Sequence, residues 1–196
     1  MTAVEYKKDV LETYGQLFPT DELVHGDAIE YLENNFEQFD FIWASPPCPT
    51  HSKMRKFGVS IGQVKPVLPD MTLYGIIVFL KTFFKGLWCV ENVNPYYIPL
   101  IKPSVALGRH SFWTNYNVPE MNFVYDVLKI QGEKGIVRNN KPTPMSELVE
   151  NKKLKNKKLA IDNCVDSEIG KYLLECAENK YSLIELNSPL LEDYVG

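Results

Sequence analysis

Phe39-Asp40-Phe41-Ile42-Trp43-Ala44-Ser45-Pro46-Pro47-Cys48 is a mostly apolar run that ends in two prolines and a cysteine. Phe39 to Trp43 reads as a buried strand. The prolines fix φ and exclude a helix directly before Cys48. The thiol is therefore rigidly presented just past a strand end. Lys53, Arg55 and Lys56 follow closely, and cations beside a thiol lower its pKa. The thiolate is the form that attacks an electron-poor carbon. A free cysteine is also commonly a small buried hydrophobe, so position alone leaves both readings open.

Outward from this stretch the chain alternates strand and helix. Thr2 to Tyr6 is β-prone, Lys8 to Leu17 has helical spacing, and Glu22 to His25 reads as a strand closed by Gly26-Asp27. Ala28 to Asn34 is a short helix, His51 to Asp70 a long loop, and Met71 to Phe84 a helix. Leu87 to Val90 is a buried strand leading into Glu91-Asn92-Val93. Such alternation implies a parallel sheet with helices on both faces, and ligands collect at the carboxyl ends of its strands. Glu5, Asp27, Cys48 and Glu91 all follow predicted strands there. Phe112 to Asn115 and Val124 to Ile130 look like strands of a different arrangement, and Ser167 to Asn179 is helical, with Asp166 or Ser167 as its cap.

The bulk properties narrow the class. The 196 residues make one ordinary domain, with 45% apolar and 23% charged residues. No run is long and apolar enough to span a membrane, and the first residues do not form a secretory signal. Cys48, Cys89, Cys164 and Cys176 include no Cys-x-x-Cys pair, which argues against structural zinc and for reduced thiols in a cytoplasmic protein. The formal charge is −4, so nucleic-acid binding would need a local basic surface. Lys152 to Lys158 holds five lysines in seven positions. It reads either as a solvated loop or as a phosphate-contacting one.

Trp43-Ala44-Ser45-Pro46-Pro47-Cys48 followed by Ser52 is similar to the catalytic loop of DNA (cytosine-5) methyltransferases, and Val90-Glu91-Asn92-Val93 resembles that family's next motif in the expected order. Glu5-Tyr6-Lys7-Lys8-Asp9, with Tyr14 beyond it, resembles the family's cofactor segment, and Gly26-Asp27-Ala28 another part of the same site. The resemblance implies that Glu5 binds the ribose of S-adenosylmethionine, Tyr6 packs on its adenine and Asp27 contacts the adenine amine. It also places Pro47 and Asn163, in Asn163-Cys164-Val165, at the cofactor. An Asn before a helix is equally an ordinary cap.

The resemblance further implies chemistry on double-stranded DNA. A cytosine is flipped into the pocket, Cys48 attacks carbon 6, and Glu91 contacts ring nitrogen 3 and the exocyclic amine. Carbon 5 then takes the methyl group. Arg109, in Leu107-Gly108-Arg109-His110-Ser111, falls where the family carries Gln-x-Arg-x-Arg, as a contact to the cytosine carbonyl or the loop backbone. The plain alternatives are a solvated acid at Glu91 and a phosphate-contacting or surface arginine at Arg109. Such enzymes are common in bacterial restriction–modification systems and in phages.

The fold expected is α/β, a parallel-sheet, Rossmann-like methyltransferase fold that is N-terminally truncated and carries a short C-terminal recognition segment. Residues 1–114 would form the catalytic core, 115–160 the target-recognition region, and 161–196 a helix returning to the core. The sequence departs from the family in three places. The family's glycine-rich turn for the methionine end of the cofactor does not precede Thr2, and Gly15, Gly58 and Gly62 are isolated. Pro49 stands where Gln is usual and His51 where Phe is usual. The recognition region is short. Three explanations compete: a half-enzyme whose partner subunit brings the missing turn, a truncated protein that only binds DNA or a partner chain, and a small enzyme acting alone.

Other classes fit less well. An amino-methyltransferase needs an aromatic residue at the position of Cys48. A zinc deaminase needs a different ligand pattern. A cysteine hydrolase needs a histidine and an orienting group, for which His51 and His110 are the available bases. An RNA cytosine would meet the same ring chemistry as a DNA one.

Overall fold

The computed structural model describes residues 1–119, 165 and 167–187. The strand expected over 124–130, the lysine run 152–158, the Asn163-Cys164 motif, Asp166 and most of the 115–160 segment lie outside the described residues. The described chain divides into two compact units, one built on residues 1–39 and the other on residues 40–119 and 168–187.

In the first unit, β1 (Thr2–Glu5) and β2 (Glu22–His25) pair in parallel, in register from Thr2↔Glu22 to Glu5↔His25. Parallel neighbours require a crossover, and α1 (Lys8–Leu17) supplies it, burying Leu11. The Tyr14 hydroxyl donates to Asp21 Oδ2 across 2.7 Å at the far end of that crossover. α2 (Ala28–Asn35) begins at Asp27, whose carboxylate accepts from the amides of Ile29 and Glu30. These two donors lack intrahelical partners, and an aspartate there satisfies them while opposing the helix dipole.

The second unit holds β3 (Phe41–Ala44), α3 (Lys53–Ser60), α4 (Thr72–Phe83), β4 (Leu87–Val93), β5 (Val105–Leu107), β6 (His110–Thr114) and α5 (Ser167–Asn187). Its sheet runs in the order β3-β4-β6-β5. β3 and β4 are parallel, while β6 is antiparallel to both β4 and β5. The core is Leu73, Ile76, Ile77 and Leu80 of α4, Leu87 to Val90 of β4, and Phe112 and Trp113 of β6. Ile169, Leu173 and Ala177 line one buried stripe of α5 at a spacing of four residues, and Leu174 is exposed. Gly86 permits the start of β4: a Cβ there would collide with the Asp40 carbonyl, which accepts from Leu87 N.

The structure corrects three sequence expectations. The described strands form two sheets instead of one, with β1-β2 and β3-β4 parallel as expected and β6 in the different arrangement expected around Phe112. The antiparallel pairing of β5 and β6 follows from the two-residue Gly108-Arg109 turn, which can only join antiparallel strands. Part of the expected long loop at 51–70 is the helix α3, started by Ser52, whose Oγ accepts from Met54 N and Arg55 N. β4 continues through Val93, so Glu91 lies within the strand, paired with Phe112, instead of following it.

Candidate active site

The site is built where β3 gives way to Ser45–Ser52. The Trp43 indole N–H donates to Ser45 Oγ across 3.0 Å, and the Ser45 hydroxyl in turn hydrogen-bonds the Glu91 carboxyl. Pro46 is buried, while Pro47 is exposed and Cys48 half-buried. Asn92 is 1% exposed, and its side-chain amide donates to the Pro46 carbonyl across 2.9 Å. His51 N donates to the Cys48 carbonyl, and Tyr96 N to the His51 carbonyl. Ser52 bridges Pro95 in antiparallel fashion. The Cys48 loop is thus held at three points by residues in or just after β4.

His51 carries this clamp inward. It is fully buried, and its Nδ1 meets the Tyr97 hydroxyl. Tyr74 Oη donates to Tyr97 Oη across 3.3 Å and accepts from Leu100 N. Burial lowers the His51 pKa and keeps the ring neutral. A histidine in this setting is an anchor beneath the loop.

Glu91 is 7% exposed, and burial pushes its pKa up to about 7, against the opposing pull of the Ser45 hydrogen bond and the Arg109 charge. His110 Nε2 lies 3.6 Å from Glu91 Oε1. Burial and the Arg109 charge push His110 down to about 4. Both shifts favour neutral forms; with the imidazole uncharged near pH 7 this contact is not an ion pair, and Glu91 is close to its own midpoint.

The Cys48 thiol is pushed up, first by burial and then by the Glu91 carboxylate, with its own backbone amide and the Arg109 charge acting the other way. Lys53, Arg55 and Lys56 were expected to lower it, and the structure assigns that role to Arg109 instead. The reason is α3: its winding leaves Lys53 and Lys56 exposed and sends the Arg55 guanidinium to the Lys65 carbonyl at 3.1 Å.

Arg109 sits on the β5–β6 turn beside Gly108, whose φ of +59° suits the first position of a tight hairpin. Asn94 holds this turn from below. Its backbone N–H donates to the Arg109 carbonyl and its side-chain amide to the Gly108 carbonyl, while its Oδ1 accepts from Ser111 Oγ. The second unit therefore gathers Cys48, Pro47, Glu91 and Arg109. Sequence reading missed Ser45, Asn94 and the Glu91–His110 contact. Ser45 and Asn94 stood inside or beside quoted motifs, but their hydrogen bonds are non-local and leave no periodic signal.

Glu5, Tyr6 and Asp27 fall in the first unit. Glu5 Oε1 accepts from Lys7 N at 2.8 Å, and the Tyr6 ring is 66% exposed with Lys7 Nζ 5.4 Å from its centre. Asp27 uses Oδ1 as the α2 cap. An open depression of about 230 Å³, smaller than most ligand pockets, is lined by Val24, Gly26, Asp27, Glu30, Tyr31 and Asn34 among others. Asp27 lines this depression, while Glu5, the last residue of β1, and Tyr6 just after it do not. Asn163 lies outside the described residues. Among the described residues no cluster suits a metal ion, and no helix is long and apolar enough to cross a membrane.

A rigidly presented thiol beside a buried acid whose pKa is raised to about 7 is an arrangement suited to nucleophilic, acid-assisted chemistry. Residues 1–63 match the family model for the C-5 cytosine-specific DNA methylase. The matched stretch contains Glu5, Tyr6, Asp27, Pro47 and Cys48, and Glu91 and Arg109 lie beyond it. No curated protein and no solved structure matches the chain.

Proposed function

We propose that the protein transfers a methyl group from S-adenosylmethionine to carbon 5 of cytosine in double-stranded DNA, with Cys48 as nucleophile and Glu91 as general acid. The observation that carries this reading is Glu91. It is a strand-borne acid raised to about 7 by burial, and its charge acts directly on the Cys48 thiol. An acid with that pKa can give a proton at neutral pH. Cytosine needs this at nitrogen 3 when a thiolate adds to carbon 6.

The two groups are coupled. While Glu91 is ionised, its charge holds the proton on Cys48; protonation of Glu91 removes that opposition and favours the thiolate. Addition of Cys48 Sγ at carbon 6, with the Glu91 proton going to nitrogen 3, turns carbon 5 into the nucleophile. S-adenosylmethionine supplies an electrophilic methyl group when bound. Loss of the carbon 5 proton to water, departure of Cys48 Sγ and return of the nitrogen 3 proton to Glu91 restore the ring. The Arg109 charge acts on both Cys48 and Glu91 and favours negative charge developing there. Glu5, Tyr6, Asp27 and Pro47 are the residues that would hold the cofactor. On this reading double-stranded DNA is the partner, and the target base leaves its stack to reach Cys48.

The test is incorporation of labelled methyl into mixed-sequence DNA by the purified chain and by Cys48→Ser. Incorporation that Cys48→Ser abolishes supports the reading. DNA binding without incorporation would assign the chain a binding role. Incorporation only after a second polypeptide is added would make it a half-enzyme.

A further inference from the structure

Glu91 and His110 occupy adjacent strands of one sheet, β4 and β6. In the antiparallel register Glu91 faces Phe112 and Val93 faces His110. Glu91 and His110 are therefore diagonal neighbours on the same face, within reach of long side chains. Their side chains are 9% and 6% exposed, with His110 Nε2 at 3.6 Å from Glu91 Oε1. A movement of roughly half an ångström brings this pair into hydrogen-bond range. Phe112 packs edge-on against both Trp43 and His110, with ring centres 6.2 and 6.4 Å apart, and walls the pair on that side.

Resting on the methyltransferase reading for its purpose, but not for its geometry, we propose that His110 is a positioning residue that shares one proton with Glu91. With the pair protonated, Oε1–H donates to Nε2. With it deprotonated, the tautomer carrying hydrogen on Nε2 donates to the carboxylate. The pair as a whole gains or loses one proton, and the imidazole stays neutral throughout. His110 thereby steadies the carboxyl in both of its states and stabilises the charge left when the acid gives its proton away.

The groups around the pair fit this arrangement. The Ser45 hydroxyl hydrogen-bonds Glu91 from the β3 side. The Arg109 charge opposes a charged imidazole and favours a carboxylate. The Cys48 thiol and the buried Cys89 thiol both feel the Glu91 charge. A charged His110 beside Arg109 is thus disfavoured, and tautomer exchange is the response left to it.

The experiment is ¹⁵N NMR of the histidine rings in the full chain between pH 5.5 and 8.5, with the His110 signals assigned through His110→Gln. The expected result is a change of tautomer at His110 with a midpoint near 7, absent in Glu91→Gln. A His110 tautomer that stays constant through this range, or that changes equally in Glu91→Gln, overturns the proposal. Glu91→Gln is close to isosteric, and the His110 signals are assigned equally by elimination through His25→Gln and His51→Gln, so the comparison survives if replacement of His110 prevents folding. In the transfer assay, His110→Phe should lower kcat on the order of tenfold with KM for DNA unchanged, and His110→Gln should recover part of it; an unchanged kcat also overturns the proposal. If the chain transfers no methyl group, the ring titration alone decides, so failure of the activity and failure of this pairing are separate results.

Discussion

The side-chain amide of Asn92 reaches across from β4 to the carbonyl of Pro46, 2.9 Å away, and ties the proline pair ahead of Cys48 to the sheet. Neither partner is open to water: Asn92 is 1% exposed and Pro46 is buried. The other end of the Asn92 amide accepts from Val93 N. Replacing Asn92 with Ala leaves a buried carbonyl without its donor. Such a loss costs about 1–3 kcal/mol. Urea denaturation of Asn92→Ala should show that loss, and alkylation of Cys48 by iodoacetamide should change in rate as its loop loosens. A variant as stable as the wild type would show that the bond does not hold the loop.

Glu91 makes stability depend on pH in a predictable direction. Its folded pKa, about 7, lies above the ordinary 4.5, so the folded state favours the protonated acid. That contribution is fully present below the unfolded pKa and is lost as pH rises through the folded one. The rise corresponds to roughly 3 kcal/mol. Glu91→Gln has no such loss, so its stability relative to wild type should improve by about that amount from pH 4.5 to 8.5. A difference that stays flat with pH would remove Glu91 as a buried, neutralised acid.

His110 acts in the opposite sense. Its folded pKa is lowered to about 4, and a buried neutral imidazole contributes stability that is lost as pH falls from 6.5 through 4. His110→Gln should therefore lose less stability on acidification over that window than the wild type does. Thermal melts at pH 7 and pH 4.5 on both proteins would read it. An equal acid sensitivity in the two would place the loss elsewhere.

The Gly108-Arg109 turn gives a third handle. Gly108 has φ of +59°, where a side chain adds about 1–2 kcal/mol of steric cost. Gly108→Ala should lose about that much. Asn94→Ala should lose about 1–3 kcal/mol, because its two side-chain hydrogen bonds, to the Gly108 carbonyl and from Ser111 Oγ, are removed while its backbone N–H keeps the Arg109 carbonyl. The two sites share partners, so the double variant should lose less or more than the sum of the singles. Strict additivity in urea melts would show that Asn94 does not set the turn.

The start of α3 is tested at Ser52, whose Oγ satisfies two amides of the first turn. Ser52→Ala should destabilise by about 1 kcal/mol, and Ser52→Gly by only a few tenths. Equal losses would mean that the hydroxyl does not act as the cap.

Much of this molecule follows from neighbours along the chain. The bounds of α1 and β2 and the stiff Pro46-Pro47-Cys48 turn follow from short-range pattern and proline geometry. α4 is read from its apolar spacing; Glu5, Asp27, Cys48 and Glu91 stood out beside predicted strand ends, and Tyr6 and Arg109 only through the family resemblance. What the sequence alone left open is whatever depends on partners far along the chain. The fourteen positions between Asn94 and Gly108 hide the clamp on the hairpin. β5, three residues long, is too short to show alternation and exists because β6 pairs with it. α3 escaped notice because glycines and lysines blur its pattern and a single serine starts it. The pKa of Glu91, the neutrality of His110 and the identity of the cation that acts on Cys48 were decided by burial and distance. Those arise only when β3, β4 and β6 assemble, since desolvation and charge act through space rather than along the chain.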